Sequence, residues 1–179
     1  MTMHPCGPPF VEYGGVDSLS VRPANISDWP HIWPIWREVV ATGETHPYPM
    51  EATEHEAIAL WLKPQGSVVF VAEKAGEVVA AMMTKPMRYG NGDHIASFDL
   101  MVHRERRRRG IGRAVSPYVI EAARQAGYAG MEAFAVVETN VAAVRLWHSL
   151  GFRTIATVPA AFRHPTHGLV AVYHMYRSL

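Results

Sequence analysis

Arg104-Glu105-Arg106-Arg107-Arg108-Arg109-Gly110-Ile111-Gly112-Arg113 stands between an apolar run of strand character, Ile95 to Val102, and an amphipathic run of helical spacing, Ile111 to about Ala126. A strand that turns on glycine directly into a helix is suited to gripping phosphate. Two glycines allow a tight turn and let the backbone approach a ligand without Cβ interference. The N–H groups that open the helix converge on an anion, aided by the positive end of the helix dipole. Arg107, Arg109 and Arg113 add charge-assisted or forked contacts to phosphate oxygens. A short Arg/Gly pattern is equally the composition of a solvated basic turn, so its neighbours carry the decision.

Outward from this stretch the pattern is mixed α/β. Downstream, Gly127 ends the helix, and Pro117 falls inside it with no reason in the sequence beyond a kink. Met131 to Val137 reads as a strand, Asn140 to Leu150 as a helix closed by Gly151, and Phe152 to Val158 as a strand. Pro159 to Gly168 reads as a loop leading to a last strand, Leu169 to Tyr176. Upstream, Val68 to Glu73 and Val78 to Met83 flank Lys74-Ala75-Gly76-Glu77, a hairpin signal, and Tyr89 to Asp93 makes the next turn. Leu19 to Pro23 predicts a first strand. Asn25, with Asp28 three residues on, predicts a helix start. That helix runs to about Val40 with Ile32, Ile35, Trp36 and Val39 on one face, and Pro34 should bend or shorten it. Thr42 to Met50 is a loop carrying His46 and Tyr48, and Thr53 caps a helix through Trp61 and Leu62. Met1 to Asp17 is rich in Pro and Gly without periodicity, so residues 1–18 are expected to form a flexible arm before one domain over 19–179.

Composition narrows the classes. The chain has 179 residues, is 49% hydrophobic and carries a formal net charge of +1, so its basic character is local. That argues against a nucleic-acid coat, which needs a basic face spread over a domain. The single cysteine, Cys6, cannot form an intrachain disulfide and fits a reducing compartment. No apolar run approaches the ~18 residues that span a bilayer, and Met1 to Phe10 lacks the apolar segment of a secretory signal. The cytoplasm is the expected location.

Two segments together identify a family. Arg107-Arg108-Arg109-Gly110-Ile111-Gly112, after Leu100-Met101-Val102, resembles the acetyl-CoA loop of the Gcn5-related N-acetyltransferases (GNAT), Gln/Arg-x-x-Gly-x-Gly/Ala. Asn140-Val-Ala-Ala143-Val-Arg-Leu146-Trp147-His-Ser-Leu150-Gly151-Phe152 resembles that family's Asn-x-x-Ala-x-x-Leu-Tyr-x-x-x-Gly-Phe. The layout is similar to phosphinothricin-type enzymes, and Glu138-Thr139-Asn140-Val141-Ala142 with Leu146-Trp147 resembles fungal acetyltransferases of imino acids. The resemblance implies a single-domain α/β fold: a mixed, mostly antiparallel sheet with a splayed parallel strand pair, flanked by helices.

The resemblance also implies a reaction. Acetyl-CoA would be the cosubstrate, with no metal, its pantetheine arm lying between Ile95–Val102 and Met131–Val137. Main-chain groups of Leu100, Met101 and Val102 would bond the arm. The loop N–H groups around Arg109, Gly110, Ile111, Gly112 and Arg113 would hold the pyrophosphate, with Asn140 and Trp147 flanking the thioester. An amine then attacks the acetyl carbonyl directly, an N–H near Met101 steadies the oxyanion, and a thiolate leaves. An alkyl amine is mostly protonated at pH 7, so a base is useful. Asp99, an acid in an apolar strand, is the first candidate, burial being expected to raise its pKa; an Asp tied to a neighbouring group is the alternative. Ser97 stands where phosphinothricin-type relatives place a strand Glu and is suited only to ordering water; Glu138 and His94 are reserves. Trp147 replaces a Tyr that protonates the thiolate in many relatives, leaving Tyr118 or His148 as donors or Trp147 as a packing residue.

For the acceptor, the loops at Thr42 to Met50 and Pro159 to Gly168 offer His46, Tyr48, Phe162, Arg163 and His164, with Arg163 suited to a carboxylate. His164 and His167 have a metal-like spacing but lack a third ligand in sequence. The expected activity is acetyl transfer to a primary or secondary amine of a small molecule, an amino acid or analogue, by a homodimer without membrane or nucleic-acid partners. A protein or peptide N-acetyltransferase, a non-catalytic acyl-CoA sensor and a nucleic-acid binder remain alternatives.

Overall fold

The computed structural model describes residues 11–13 and 19–179, and the rest of the expected arm lies outside the described residues. Within that stretch Val11–Tyr13 (β1) pairs antiparallel with Leu19–Pro23 (β2). Then come the helices Trp29–Ala41 (α1) and Glu54–Trp61 (α2) and the strands Val68–Lys74 (β3), Glu77–Pro86 (β4) and Ile95–Val102 (β5). The chain continues with Ile111–Gln125 (α3), Gly130–Val137 (β6), Val141–Ser149 (α4), Arg153–His164 (β7) and Gly168–Ser178 (β8). The strands form one sheet in the order β1-β2-β3-β4-β5-β6-β8-β7, antiparallel throughout except for β5 with β6.

Side chains alternate across a strand, so the continuous apolar runs of β3 and β4 feed two cores at once. Phe70, Met82 and Phe98 bury against α3 and α4, with Val115, Val119, Trp147 and Phe152. Val71, Met83 and Met101 bury on the other face against α1 and α2, with Ile32, Ile35, Trp36 and Trp61. Pro34 neither stops nor shortens α1, and Pro117 likewise sits inside an intact α3. The carbonyls these prolines leave without a donor, those of Pro30 and Arg113, belong to exposed residues, where water serves instead.

The start of α1 is fastened to the sheet. Asn25 caps a 3-10 turn at Ile26–Asp28, and its own N–H donates to Asp28 Oδ2 at 2.8 Å. Asp28, 6% exposed, also takes both Arg22 terminal nitrogens, at 2.7 and 2.8 Å, and Arg22 reaches on to Glu73. The Arg22 bonds hold the Asp28 carboxyl below its ordinary value against the opposing effect of burial. A carboxyl depressed in this way stabilises the fold above its unfolded-state pKa and loses that contribution as pH falls through the folded-state value. Asp28→Asn should therefore cost about 2–4 kcal/mol in urea unfolding near pH 7. The difference from wild type should shrink below about pH 4.

One expected loop is a strand. Pro159 to Gly168 has the composition of a loop, yet β7 runs on to His164, turns through 165–167 and returns as β8. The register slips between Val158 and Phe162, and Ala160 takes φ +53°. This irregularity breaks the period-two pattern. β7 is also the outer strand, where a proline's missing N–H costs no ladder bond.

Candidate functional site

β5 and β6 pair only from Ile95↔Gly130 to Ser97↔Glu132. Beyond Ser97, β5 stays with β4 as far as Val102↔Ala80, while β6 leaves with β8. The departure has a local cause: Ala135 takes φ +56° and the register slips between Ala133 and Val136, a bulge that turns one strand off its neighbour. His103 donates to the Val79 carbonyl, and bonding direction alternates along a strand, so Asp99 and Met101 also aim their N–H groups at β4. Phe98, Leu100 and Val102 aim theirs into the gap. Met101 thus has its own N–H engaged on the other side, and the gap-facing N–H groups near it are those of Leu100 and Val102. The Val102 carbonyl accepts Arg107 Nε at 3.1 Å.

At the end of this edge Arg104–Arg106 make a 3-10 turn, Arg108 and Gly110 take φ +61° and +77°, and α3 begins at Ile111 with no side-chain cap. Ala114 makes the first helical bond, to the Gly110 carbonyl, which leaves the N–H groups of Ile111, Gly112 and Arg113 without helical acceptors. Gly110 is needed for its φ. Gly112 allows close packing, since a Cβ there would lie 3.2 Å from Leu146 Cδ2 and 3.3 Å from Leu100 Cδ2 and both side chains would have to give way. Arg107, Arg108, Arg109 and Arg113 are exposed, and among the described residues none joins an ion pair, whereas Arg106 is taken by Glu77. Uncapped N–H groups and unpaired guanidinium groups at one spot fit a diphosphate.

On the opposite face the loop after α1 folds over β5. His46 Nε2 lies 2.9 Å from Asp99 Oδ1, the Tyr48 hydroxyl donates to Asp99 Oδ2 at 2.7 Å, and Thr45 Oγ1 lies 2.8 Å from His46 Nδ1. The Tyr48 ring stacks on His46 with 7° between planes and leans on Trp36. Burial alone pushes the Asp99 carboxyl up, but His46, the Tyr48 hydroxyl and the Leu100 N–H outweigh it and hold it below the ordinary carboxylate value. That reverses the expected direction: the Asp99 carboxyl is held ionised, where burial alone would have raised its pKa. Burial and the Asp99 charge push the Tyr48 hydroxyl up, keeping it a donor. Neutral His46 donates Nε2–H to Asp99 and takes the Thr45 hydroxyl on Nδ1; protonated His46 donates from both nitrogens. Both forms of the ring therefore keep the same two partners, with rotation of one hydroxyl and no heavy-atom movement.

The gap connects the two faces as a cavity of about 370 Å³, reached by His46, Tyr48, Ser97 and Asp99 from one side and by Leu100, Asn140 and Trp147 from the other. Asn140 caps α4 by accepting from Ala143 N. Trp147 is 6% exposed, edge-on to Phe98 (4.9 Å) and Phe152 (5.1 Å), the position of a packing residue. The Ser97 hydroxyl is engaged by the Lys85 carbonyl at 3.1 Å. The Glu138 carboxylate accepts from Ala171 N, His94 is exposed, and exposed His148 bonds the Phe152 carbonyl. Tyr118 packs edge-on to Phe70 in the α3 core and does not line the cavity. Arg163 is exposed on β7, and His164 is buried at the hairpin end, accepting from Thr166 N and His167 N on Nδ1; neither reaches this cavity. Among the described residues no three His, Cys, Asp or Glu gather as a metal site would need. Lys85, Met87 and Phe134 line the cavity without having been singled out in the sequence, because β4 and β6 present them only through register.

A family model described as acetyltransferase (GNAT) family matches residues 29–152. A search of curated proteins finds no match. Among solved structures, a GCN5-related N-acetyltransferase from Kribbella flavida is 47% identical, with TM-score 0.85 over 90% of this chain and 98% of that one. The yncA protein of Salmonella typhimurium, solved with its cofactor acetyl-CoA, is 25% identical, with TM-score 0.79 over 90% and 94%. A phosphinothricin acetyltransferase from Sinorhizobium meliloti, in complex with acetyl-CoA, is similar in fold at 22% identity, TM-score 0.78, over 90% and 88%.

Proposed function

The chain belongs to the acetyltransferase (GNAT) family, and from that premise we propose that it moves the acetyl group of acetyl-CoA to the amine of a small molecule, an amino acid or analogue. The observation that carries this reading is the gap between β5 and β6, with an uncapped helix N-terminus at one end and the His46–Asp99 pair at the other. The N–H groups of Ile111, Gly112 and Arg113 and the guanidinium groups of Arg107, Arg109 and Arg113 hold the diphosphate. The free edge of β5 bonds the pantetheine amides as a neighbouring strand would. Acetyl-CoA supplies an activated acyl carbon beside Leu100. The attacking amine passes its proton to Thr45 Oγ1 as the Thr45 hydroxyl proton moves to His46 Nδ1, with Asp99 steadying the imidazolium; a gap-facing N–H of β5 steadies the oxyanion, and the carbon–sulfur bond breaks to release a thiolate. Thiols ionise near pH 8.5, so the leaving group needs little help from an acid. Trp147 shapes the thioester end.

The loop carrying Thr45, His46 and Tyr48 roofs the acceptor side of a cavity of about 370 Å³, which favours a small acceptor over a peptide. We assign residues 19–179 to one catalytic domain, place it in the cytoplasm and propose a homodimer joined through β7. That edge strand is exposed from Arg153 to Ala161 and presents Ile155 and Val158. Among the described residues no helix is long and apolar enough to cross a membrane. The test is thiol release from acetyl-CoA across amino acids, amines and peptides. Turnover with at least one small amine is expected; tight acetyl-CoA binding without release in any arm would leave a sensor, and release with peptides alone would move the acceptor class.

A further inference from the structure

Lys85 stands opposite Ser97 in the β4–β5 register and one diagonal step from Asp99, which lies opposite Met83. Residues two apart on a strand share a face, so Lys85 follows Ala81 and Met83 onto the face that carries Asp99, His46 and Tyr48. Diagonal neighbours lie about 7–8 Å apart, within reach of a lysine stem. Lys85 lines the cavity, is half-buried and, among the described residues, has no ion pair. Asp99 is the acid that lines the same cavity, and its two oxygens are already taken by His46 and Tyr48. The acceptor side thus has a negative pole at Asp99 and an unmatched positive pole at Lys85. Between and around them lie Pro47, Met83, Met87 and Phe134. A half-buried cation facing an apolar wall has given up hydration that an incoming anion restores.

We propose that Lys85 receives the carboxylate of the acceptor, so that the acceptor is an amino acid with a free carboxylate and an apolar side chain, its amine directed to His46 and Asp99. This rests on the acetyl-transfer reading above. Arg163, the carboxylate partner expected from sequence, lies outside the cavity, and Lys85 takes that part.

The experiment compares L-leucine, L-leucinamide and 3-methylbutylamine as acceptors in thiol release, for wild type, Lys85→Met and Lys85→Arg, with acetyl-CoA binding measured in parallel. Wild type should favour leucine over the two uncharged-tail analogues by roughly tenfold to a hundredfold in kcat/KM, the range of a hydrogen bond between charged groups. Lys85→Met should erase that preference chiefly through KM, and Lys85→Arg should restore much of it. A preference that survives Lys85→Met, a wild type indifferent to the carboxylate, or acetyl-CoA binding with no transfer to any of the three overturns the carboxylate assignment and leaves acetyl transfer standing. Absence of acetyl-CoA binding overturns the reading beneath it, and the proposal with it.

Discussion

His46→Ala should lower kcat for amine acetylation by about 10²–10⁴-fold, the usual range for a positioned general base, while acetyl-CoA affinity stays within about threefold. The imidazole is the group whose two protonation states both satisfy their neighbours: Asp99 at Nε2, and Thr45 at Nδ1 by rotation of a hydroxyl. Asp99→Asn should lose a similar factor for a different reason, since an amide cannot stabilise the imidazolium. The sign of the Asp99 shift separates the two roles. Its carboxyl is held below its ordinary value, so it is ionised above about pH 4. An acid limb of the wild-type profile in the carboxylate range would name Asp99 as the group whose protonation stops turnover; a limb well above it belongs to another group. Unchanged kcat in His46→Ala would remove the base.

Trp147→Ala should destabilise the fold by about 3–5 kcal/mol, as for large buried aromatics cut to alanine. For a chain of this length that is roughly 8–15 °C in Tm. The ring is 6% exposed and wedged edge-on between Phe98 of β5 and Phe152 beyond α4, so truncation leaves a hole beside the gap between β5 and β6. Trp147→Phe should recover most of the stability and keep kcat within about threefold of wild type, since neither ring is an acid and the thiolate needs little help. Thermal unfolding and thiol release measured on the same preparations separate packing from chemistry. A Trp147→Phe variant as stable as wild type but a hundredfold slower would return this residue to the reaction.

Much of the fold was legible because its signals are local. Asn25 with Asp28, Thr53 with Glu56 and Asn140 with Ala143 close caps over three residues, and each starts a turn or helix where the pattern places it. The glycines of the Arg/Gly stretch answer to a backbone angle at Gly110 and to close packing at Gly112. β7 was illegible beyond Val158 because its irregularity removes the alternation that marks a strand.

By itself the sequence determined the strand, the turn and the helix start of the Arg/Gly stretch, since φ, capping and a period of 2 or 3.6 are set by neighbours a few residues apart. Tertiary structure alone decided which residues meet on the other side of the sheet. His46 and Tyr48 meet Asp99 across 53 and 51 residues, and that meeting turns the carboxyl's pKa down where burial alone would raise it. Lys85 comes to face the same cavity only through the β4–β5 register. Partners so distant in sequence are chosen by strand register and loop path, which no short window of sequence contains.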